Sequence, residues 1–280
     1  MTIPIGLRTR NRPVYLDLTL RSLLATDLGD VEILVLDDCS DDPLTKEYLS
    51  TDDVIELPEP HVWPESGPFV RFCGELPTST NLRGVKSKVR VESPESRKGV
   101  RGGIFWCIDY LMESFPGAEY VMVIEADAVF NKDWFTATEN AYSKTKDQKG
   151  PNGSHLGLLT AYDRRPPKPP RGPSMGWTWR SVKKLSSGNW GCGNGIGGVH
   201  YLVTRAFYES CIPSMKKKYN PALRSGDTSL QALCGAREFS IAATTPSFIQ
   251  HIGMNSLAWP SKGWRHARNF LKPFVLAEEI

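Results

Sequence analysis

Three strand-length runs rich in apolar residues constrain the fold of this chain more than any other feature of its sequence. The runs are Ile3 to Thr9, Val31 to Leu36 and Tyr120 to Ile124. Helical stripes lie between them. The first stripe, opened by Pro13, holds Leu16, Leu20, Leu23 and Leu24, and the second holds Ile104, Phe105, Ile108, Leu111 and Met112. Because apolar strands are expected to be covered on both faces, this alternation predicts an α/β fold with a mainly parallel sheet flanked by helices.

The second half of the chain continues the alternation less regularly. Strands are predicted at Val199 to Thr204 and Ser247 to His251, and helices at Ala206 to Lys217 and Thr228 to Leu233. Residues 58–80 are rich in Pro and Gly, which predicts an irregular excursion. Residues 163–198 are too long for a plain connection and are typical of a functional lid or a disordered loop. No repeat or linker interrupts the chain, so we expect one domain over residues 1–280.

Composition excludes several classes of protein. Of the 280 residues, 40% are hydrophobic and 23% are charged, which argues against a disordered or fibrous chain. No apolar run reaches the roughly 18 residues that a membrane span needs. The opening MTIPIGLRTRNRP has no apolar signal core. The six cysteines are scattered without a CxxC pair, which favours free thiols in a reducing compartment over disulfides. We therefore expect a cytoplasmic protein.

Acidic residues directly follow two of the predicted strands. Asp37 and Asp38 end the run VEILVLDD, and Glu125 and Asp127 end the run YVMVIEAD. Open α/β sheets bind ligands at the carboxyl ends of their strands, where a carboxylate is costly unless it meets a metal or a polar ligand. Two acids one residue apart suit Mg²⁺ or Mn²⁺, which can bridge the two phosphates of a nucleotide diphosphate. The sequence therefore predicts a metal and diphosphate site at this edge of the sheet.

The first half of the chain resembles the family 2 glycosyltransferases and their relatives of the GT-A type. The resemblance is carried by IGLRTRNRPVYLDLTLRSLL, by VEILVLDDCSDD with its Asp-Asp-x-Ser motif, and by the Gly-rich, Arg-bearing segment KGVRGGIFWCIDYL. It implies a GT-A, Rossmann-like fold that binds a nucleotide sugar. The implied nucleotide-binding residues are Thr9, Arg12, Asp37, Asp38 and Glu125, with Arg101 near the diphosphate.

The metal motif of this chain reads EAD, where DxD is usual in the family. Asp127 is the implied ligand of Mn²⁺ or Mg²⁺, and Glu125 replaces the first acid, which often acts through water. The implied donor is a nucleotide-diphosphate sugar such as a UDP-sugar. Residues 1–130 would form the donor-binding half, residues 131–254 the acceptor-side half, and residues 255–280 a C-terminal tail.

Three motifs in the second half extend the resemblance. Asp227, in SGDTSLQAL, stands where similar enzymes carry the catalytic base, and helix capping is the alternative interpretation. His251, in PSFIQHIG, stands where many GT-A enzymes carry a third metal ligand, and a structural histidine is the alternative. Trp190, in GNWGCGNGIGG, is expected either to offer an apolar platform to a sugar or to pack in the core.

Other classes of enzyme fit the sequence less well. Gly193, Gly195 and Gly198 formally match GxGxxG, but a dinucleotide fingerprint follows a strand and opens a helix, whereas here a loop precedes and a strand-like run follows. No GxxxxGK[ST] or GxSxG motif occurs. Two alternatives stay open. One is a nucleotidyltransferase, which normally has a Gly-rich basic loop after its first strand. The other is a non-catalytic carbohydrate- or nucleic-acid-binding module on the same fold.

The motifs together predict an inverting transfer to an acceptor hydroxyl. Asp227 would remove the acceptor proton, and a lid over residues 163–190 would close over the donor and exclude water. The acceptor stays open between a saccharide and a modified DNA base. The net charge is only +3, but basic residues cluster at Arg164, Arg165, Lys168 and Arg171, at Lys216 to Lys218, and at Lys262, Arg265, Arg268 and Lys272. These clusters would suit a polyanionic acceptor, and solvated surface is the alternative.

Overall fold

The computed structural model describes residues 2–50, 55–57, 79–80, 89–162, 176–180, 182–184, 190–192, 198–216 and 226–252. Its strands are β1 (Ile3–Thr9), β2 (Val31–Asp37), β3 (Ile55–Glu56), β4 (Ser79–Thr80), β5 (Val89–Glu92), β6 (Tyr120–Glu125), β7 (Ala128–Phe130), β8 (His155–Thr160), β9 (Gly176–Arg180), β10 (Val182–Lys184), β11 (Trp190–Cys192), β12 (His200–Thr204), β13 (Phe239–Thr245) and β14 (Ile249–His251). Its helices are α1 (Pro13–Leu24), α2 (Pro43–Ser50), α3 (Gly99–Ser114), α4 (Trp134–Thr145), α5 (Arg205–Lys216) and α6 (Gly226–Ala236), with a short 3₁₀ helix at Pro151–Gly153. Within these residues, no helix combines the length and the apolar character that a membrane crossing requires.

Eight strands form one sheet in the order β5-β2-β1-β6-β12-β8-β13-β9. The pairs β5–β2, β2–β1, β1–β6 and β8–β13 are parallel. Strand β12 is antiparallel to β6 and β8, and β9 is antiparallel to β13. Only β12 and β9 therefore run against the other six strands. The α/β class and the mainly parallel sheet predicted from the alternation of strands and helices are confirmed.

Two apolar cores cover the two faces of this sheet. The first contains the predicted stripe of α1, including Leu16 and Leu20, together with Trp134 of α4. The second contains the predicted stripe of α3, including Ile104, together with Phe207 of α5 and residues of α6. Both cores draw on alternate residues of the same strands, as the period of two in a β-strand requires. The helices therefore flank the sheet on both sides, as predicted.

Gly6 allows α3 to lie directly against β1. A Cβ atom at this position would lie 2.8 Å from Cδ1 of Leu36 and 2.8 Å from Cδ1 of Leu111, which is closer than packed carbon atoms approach. The absence of a side chain thus lets the part of α3 that contains Leu111 pack closely on β1. Nearer the start of α3, a Cβ on Gly103 would lie 3.5 Å from Cδ of Arg8. This packing positions the Gly-rich segment beside the candidate site.

The segment after β8 differs from the single long lid that the sequence predicts. Residues 176–180 are the edge strand β9, which is hydrogen-bonded along β13, and β10 pairs with β11. A strand that is hydrogen-bonded into a sheet does not move as a free loop does. The prediction of one lid over 163–190 is therefore wrong for residues 176–180. Residues 163–175 and 185–189 lie outside the described residues. In the predicted excursion at 58–80, β4 pairs with β3, and residues 58–78 lie outside the described residues.

Candidate functional site

The carboxyl ends of β1, β2 and β6 lie side by side in the sheet. In the strand register, Thr9 faces Asp37 and Arg8 faces Glu125. Backbone hydrogen bonds continue past the strand ends: the N–H of Asp38 donates to the carbonyl of Thr9 at 3.0 Å. The acidic strand ends, which are far apart in the sequence, are therefore neighbours at one edge of the fold.

The last described strand brings His251 to the same edge. Strand β14 pairs antiparallel with β7, and His251 lies opposite Ala128 in that register. The N–H of Ile252 donates to the carbonyl of Asp127 at 2.8 Å. This short ribbon places His251 beside the second acid of the EAD motif.

Two buried hydroxyl groups of α1 hold β7 in place. The N–H of Ala128 donates to Oγ1 of Thr19 at 3.1 Å, and the N–H of Phe130 donates to Oγ of Ser22 at 2.8 Å. Both hydroxyl-bearing side chains are fully buried. The apolar spacing of α1 does not predict these two contacts. Their signal in the sequence is a pair of small polar residues among the leucines of an otherwise apolar helix.

Glu125, Asp127 and His251 together form a candidate metal centre. Each offers a ligand atom, and these atoms lie within 4.8 Å of one another. Nε2 of His251 lies 3.2 Å from Oδ2 of Asp127. Asp127 is only 4% exposed, and its buried Oδ1 has no hydrogen-bond partner among the described residues. A buried carboxylate oxygen that lacks a partner is costly unless a cation completes it. Two carboxylates and an imidazole therefore fit a divalent cation such as Mn²⁺ or Mg²⁺.

An arginine pairs with each acid of this cluster. Nη2 of Arg8 donates to Oε1 of Glu125, and Nη1 of Arg12 donates to Oδ2 of Asp127 at 2.6 Å. Burial by itself would raise the pKa of Asp127. The neighbouring His251, Arg12 and Arg8 outweigh burial and hold that pKa well below its usual range. Asp127 is therefore ionised, as a metal ligand must be.

The same carboxylates favour the charged form of His251. Burial alone would lower its pKa, but the charges of Asp127 and Glu125 and the hydrogen bond to Asp127 raise the pKa above the ordinary value. A histidine ligates a metal only as neutral imidazole. Coordination of an ion by His251 would therefore compete with protonation of the ring.

Asp37 is engaged inside the turn that follows β2. Its Oδ2 accepts from the N–H of Ser40 at 2.9 Å, and its Oδ1 accepts from the Ser40 hydroxyl at 2.5 Å. Asn11, whose φ of 51° is left-handed, ties this turn to the loop after β1. Its N–H donates to Oγ of Ser40 at 2.9 Å, and its Oδ1 accepts from the N–H of Asp41 at 3.0 Å. The structure thus gives Asp37, predicted to bind nucleotide, an internal partner for each carboxylate oxygen.

Asp38 caps the first turn of α3. Its Oδ1 accepts from the N–H of Lys98 at 2.5 Å, and its Oδ2 accepts from the N–H of Gly99 at 2.8 Å. A carboxylate at a helix N-terminus accepts hydrogen bonds from N–H groups that have no acceptor within the helix. Its negative charge also interacts favourably with the helix dipole. The cap holds the Gly-rich segment at the strand ends. Arg101 lies in that first turn, with its side chain outside the described residues.

Thr9 and Arg12, which are also predicted to bind the nucleotide, both lie at this edge of the sheet. Thr9 is 4% exposed, and none of the residues that the structure describes gives its buried hydroxyl a hydrogen-bond partner. The Arg12 side chain is 21% exposed, and its Cζ lies 5.9 Å from the centroid of the Tyr15 ring. The structure therefore brings Thr9, Arg12, Glu125, Asp127 and His251 together.

The predicted acceptor-side residues lie on neighbouring elements. Asp227 is the second residue of α6, and Trp190 is the first residue of β11. Helix α6 contacts β10, β11 and α3. The side chains of Asp227 and Trp190 lie outside the described residues, as do the basic residues at 164–171, 217–218 and 262–272 and the side chain of Lys216.

Neither a family model nor a curated protein matches the sequence. Among solved structures, the chain is similar to S. aureus TarS 1–349, with a TM-score of 0.44 and 14% identity over 89% of this chain and 60% of that one. It is similar to the complex of TarS 1–349 with UDP-GlcNAc, with a TM-score of 0.45 and 14% identity over 86% of this chain and 56% of that one. It is also similar to the mannosyltransferase PcManGT from Pyrobaculum calidifontis in complex with GDP-Man and Mn²⁺, with a TM-score of 0.41 and 11% identity over 81% of this chain and 50% of that one.

The chain thus spans between 50% and 60% of the length of these three structures.

Proposed function

We propose that this chain is a metal-dependent glycosyltransferase that moves a sugar from a nucleotide-diphosphate donor to an acceptor hydroxyl. The observation that carries the proposal is the cluster of Glu125, Asp127 and His251, in which the buried Oδ1 of Asp127 has no hydrogen-bond partner within the part of the chain that the structure describes. The cluster lies at the carboxyl ends of parallel strands, where open α/β sheets bind their ligands. The proposed donor is a UDP-sugar or a related nucleotide-diphosphate sugar, and the proposed ion is Mn²⁺ or Mg²⁺.

Asp127 and His251, with help from Glu125, would hold the ion. When bound, such an ion supplies Lewis-acid stabilisation of the charge on the leaving diphosphate. The chain itself supplies further cationic groups: Arg12 lies in the loop after β1, and Arg101 lies in the first turn of α3. Guanidinium groups bind phosphate oxygens through paired hydrogen bonds, so these two residues are the proposed contacts to the diphosphate.

Asp227 is the proposed catalytic base of an inverting reaction. It would accept the proton of the acceptor hydroxyl as that oxygen bonds to the anomeric carbon, while the bond from this carbon to the diphosphate oxygen breaks. General-base assistance of this kind contributes roughly 10²- to 10⁴-fold to the rate. Trp190, on the strand that α6 contacts, is the proposed apolar platform for a sugar ring. The acceptor is proposed to be a saccharide or a modified nucleic acid.

A product assay tests this function against its alternatives. The protein is incubated with Mn²⁺, a panel of nucleotide sugars, and acceptors that include oligosaccharides and duplex DNA with hydroxymethylated bases. A glycosyltransferase releases a nucleoside diphosphate, a nucleotidyltransferase given a nucleoside triphosphate and a sugar phosphate releases pyrophosphate, and a binding module releases neither. We expect release of nucleoside diphosphate that stops in excess chelator and returns with Mn²⁺ or Mg²⁺. Full turnover in excess chelator would remove the metal from the mechanism.

A further inference from the structure

The candidate metal centre already contains enough positive charge to balance its acids. Glu125 is paired with Arg8, and Asp127 is paired with Arg12, so two carboxylates face two guanidinium groups. His251 lies on the same Oδ2 of Asp127 that Arg12 contacts. A divalent cation is attracted weakly to a site whose carboxylates are already neutralised, and it is repelled by cations that lie beside them.

The two arginines differ in how they are enclosed. The side chain of Arg8 is 12% exposed and lies between β1 and α3, where even a Cβ on Gly103 would lie 3.5 Å from its Cδ. The side chain of Arg12 is 21% exposed and extends from the loop after β1 over the ring of Tyr15. Arg12 is therefore the arginine that can leave its carboxylate and reach a ligand at the edge of the sheet.

We infer that Arg12 competes with the divalent cation for Asp127 and releases this carboxylate to the metal when a diphosphate arrives to bind the guanidinium. This inference rests on the proposed nucleotide-diphosphate donor. A diphosphate can accept paired hydrogen bonds from Arg12 in exchange for its contact at 2.6 Å to Oδ2 of Asp127. Metal affinity is then low in the protein alone and high with nucleotide, and by linkage the metal strengthens nucleotide binding by the same factor.

The opposite role for Arg12 predicts the opposite result. If the ion pair serves only to orient Asp127 as a ligand, loss of Arg12 weakens metal binding or leaves it unchanged. If Arg12 competes with the metal, its loss strengthens metal binding in the absence of nucleotide. The sign of the change therefore separates a competitor from an orienting residue.

The experiment measures Mn²⁺ binding without nucleotide, from the paramagnetic resonance signal of free Mn²⁺. We expect Arg12→Gln to lower the Kd for Mn²⁺ by about tenfold or more, because the substitution removes a full charge beside the ligand. Arg12→Lys keeps the charge and is expected to stay within about threefold of wild type. The matched control is Arg10→Gln in the same loop, because Arg10 forms its ion pair with the exposed Asp41 at 2.9 Å, whereas Arg12 forms its ion pair with Asp127. This control is expected to match wild type.

The same titrations are repeated with saturating UDP. Nucleotide is expected to tighten Mn²⁺ binding much more in wild type than in Arg12→Gln, because the variant has no competitor to remove. Circular dichroism and thermal unfolding confirm that each variant is folded, and Arg12→Met replaces Arg12→Gln if the latter is not. A folded, uncharged variant that binds Mn²⁺ no more tightly than wild type overturns the inference. Suppose that the variant binds Mn²⁺ more tightly, but that no nucleoside diphosphate changes the Mn²⁺ affinity of wild type or of the variant. The competition is then upheld and the proposed donor fails.

Discussion

Replacing Asp38 by alanine removes the acceptor for two backbone N–H groups at the start of α3, those of Lys98 at 2.5 Å and Gly99 at 2.8 Å. Loss of a helix N-cap costs about 0.5–2 kcal/mol, and a hydrogen bond to a charged group contributes about 1.5–3 kcal/mol. Lys98 is exposed and Gly99 is partly exposed, so water can satisfy their N–H groups after the substitution. The expected loss therefore lies near the upper cap value, at about 2 kcal/mol of the free energy of unfolding.

Guanidinium denaturation followed by circular dichroism measures this loss. Asp38→Asn keeps one acceptor oxygen and is expected to lose less than Asp38→Ala. Asp42→Ala is the matched control, because Asp42 accepts from the N–H of Thr45 at 2.7 Å in the first turn of a different helix, α2. It is expected to lose about 1 kcal/mol.

Calorimetry of UDP binding with Mn²⁺ then separates the cap from the site. We expect nucleotide affinity to fall in Asp38→Ala, because the first turn of α3 carries Arg101, and to be unchanged in Asp42→Ala. An Asp38→Ala protein whose free energy of unfolding lies within about 0.5 kcal/mol of wild type would refute the assignment of Asp38 as a cap.

Four further outcomes are expected. Asp127→Asn should weaken metal-dependent binding of a nucleoside diphosphate by about tenfold or more in calorimetry, since the metal joins protein and phosphates, and equal affinity would place the metal elsewhere. Asp227→Asn should leave donor and metal binding intact while transfer falls by about 10²- to 10⁴-fold; loss of donor binding would favour a structural role. Thr19→Val leaves the N–H of Ala128 without its acceptor and should lower the free energy of unfolding by about 1–3 kcal/mol in denaturant titrations, whereas no loss would mean that another acceptor replaces the hydroxyl. If the acceptor is modified DNA, transfer should fall steeply with salt between low and physiological concentration, and transfer to an oligosaccharide alone would exclude DNA.

Local patterns in the sequence determined the fold class and the positions of the acids. The apolar runs and helical stripes predicted β1, α1, β2, α3 and β6, because the spacing of apolar residues records which side of an element is buried. The same runs showed where Asp37, Asp38, Glu125 and Asp127 leave their strands. The roles of Asp227 and Trp190 came only from the family resemblance and stay predictions.

The tertiary structure decided what each of these residues contacts. Three findings depend on contacts between distant parts of the chain. Asp38 caps α3, Arg8 and Arg12 pair with the two acids of the EAD motif, and β9 is an edge strand of the sheet. The close packing of α3 on β1 depends on the space left at Gly6. The spacing of apolar residues in the sequence does not predict that close approach. A side chain shows its type and its spacing in the sequence, whereas its hydrogen-bond partner is set by how whole elements pack. For this reason the sequence located the acids of the site, and only the folded chain showed which of them accept hydrogen bonds within the fold and which form the candidate metal centre.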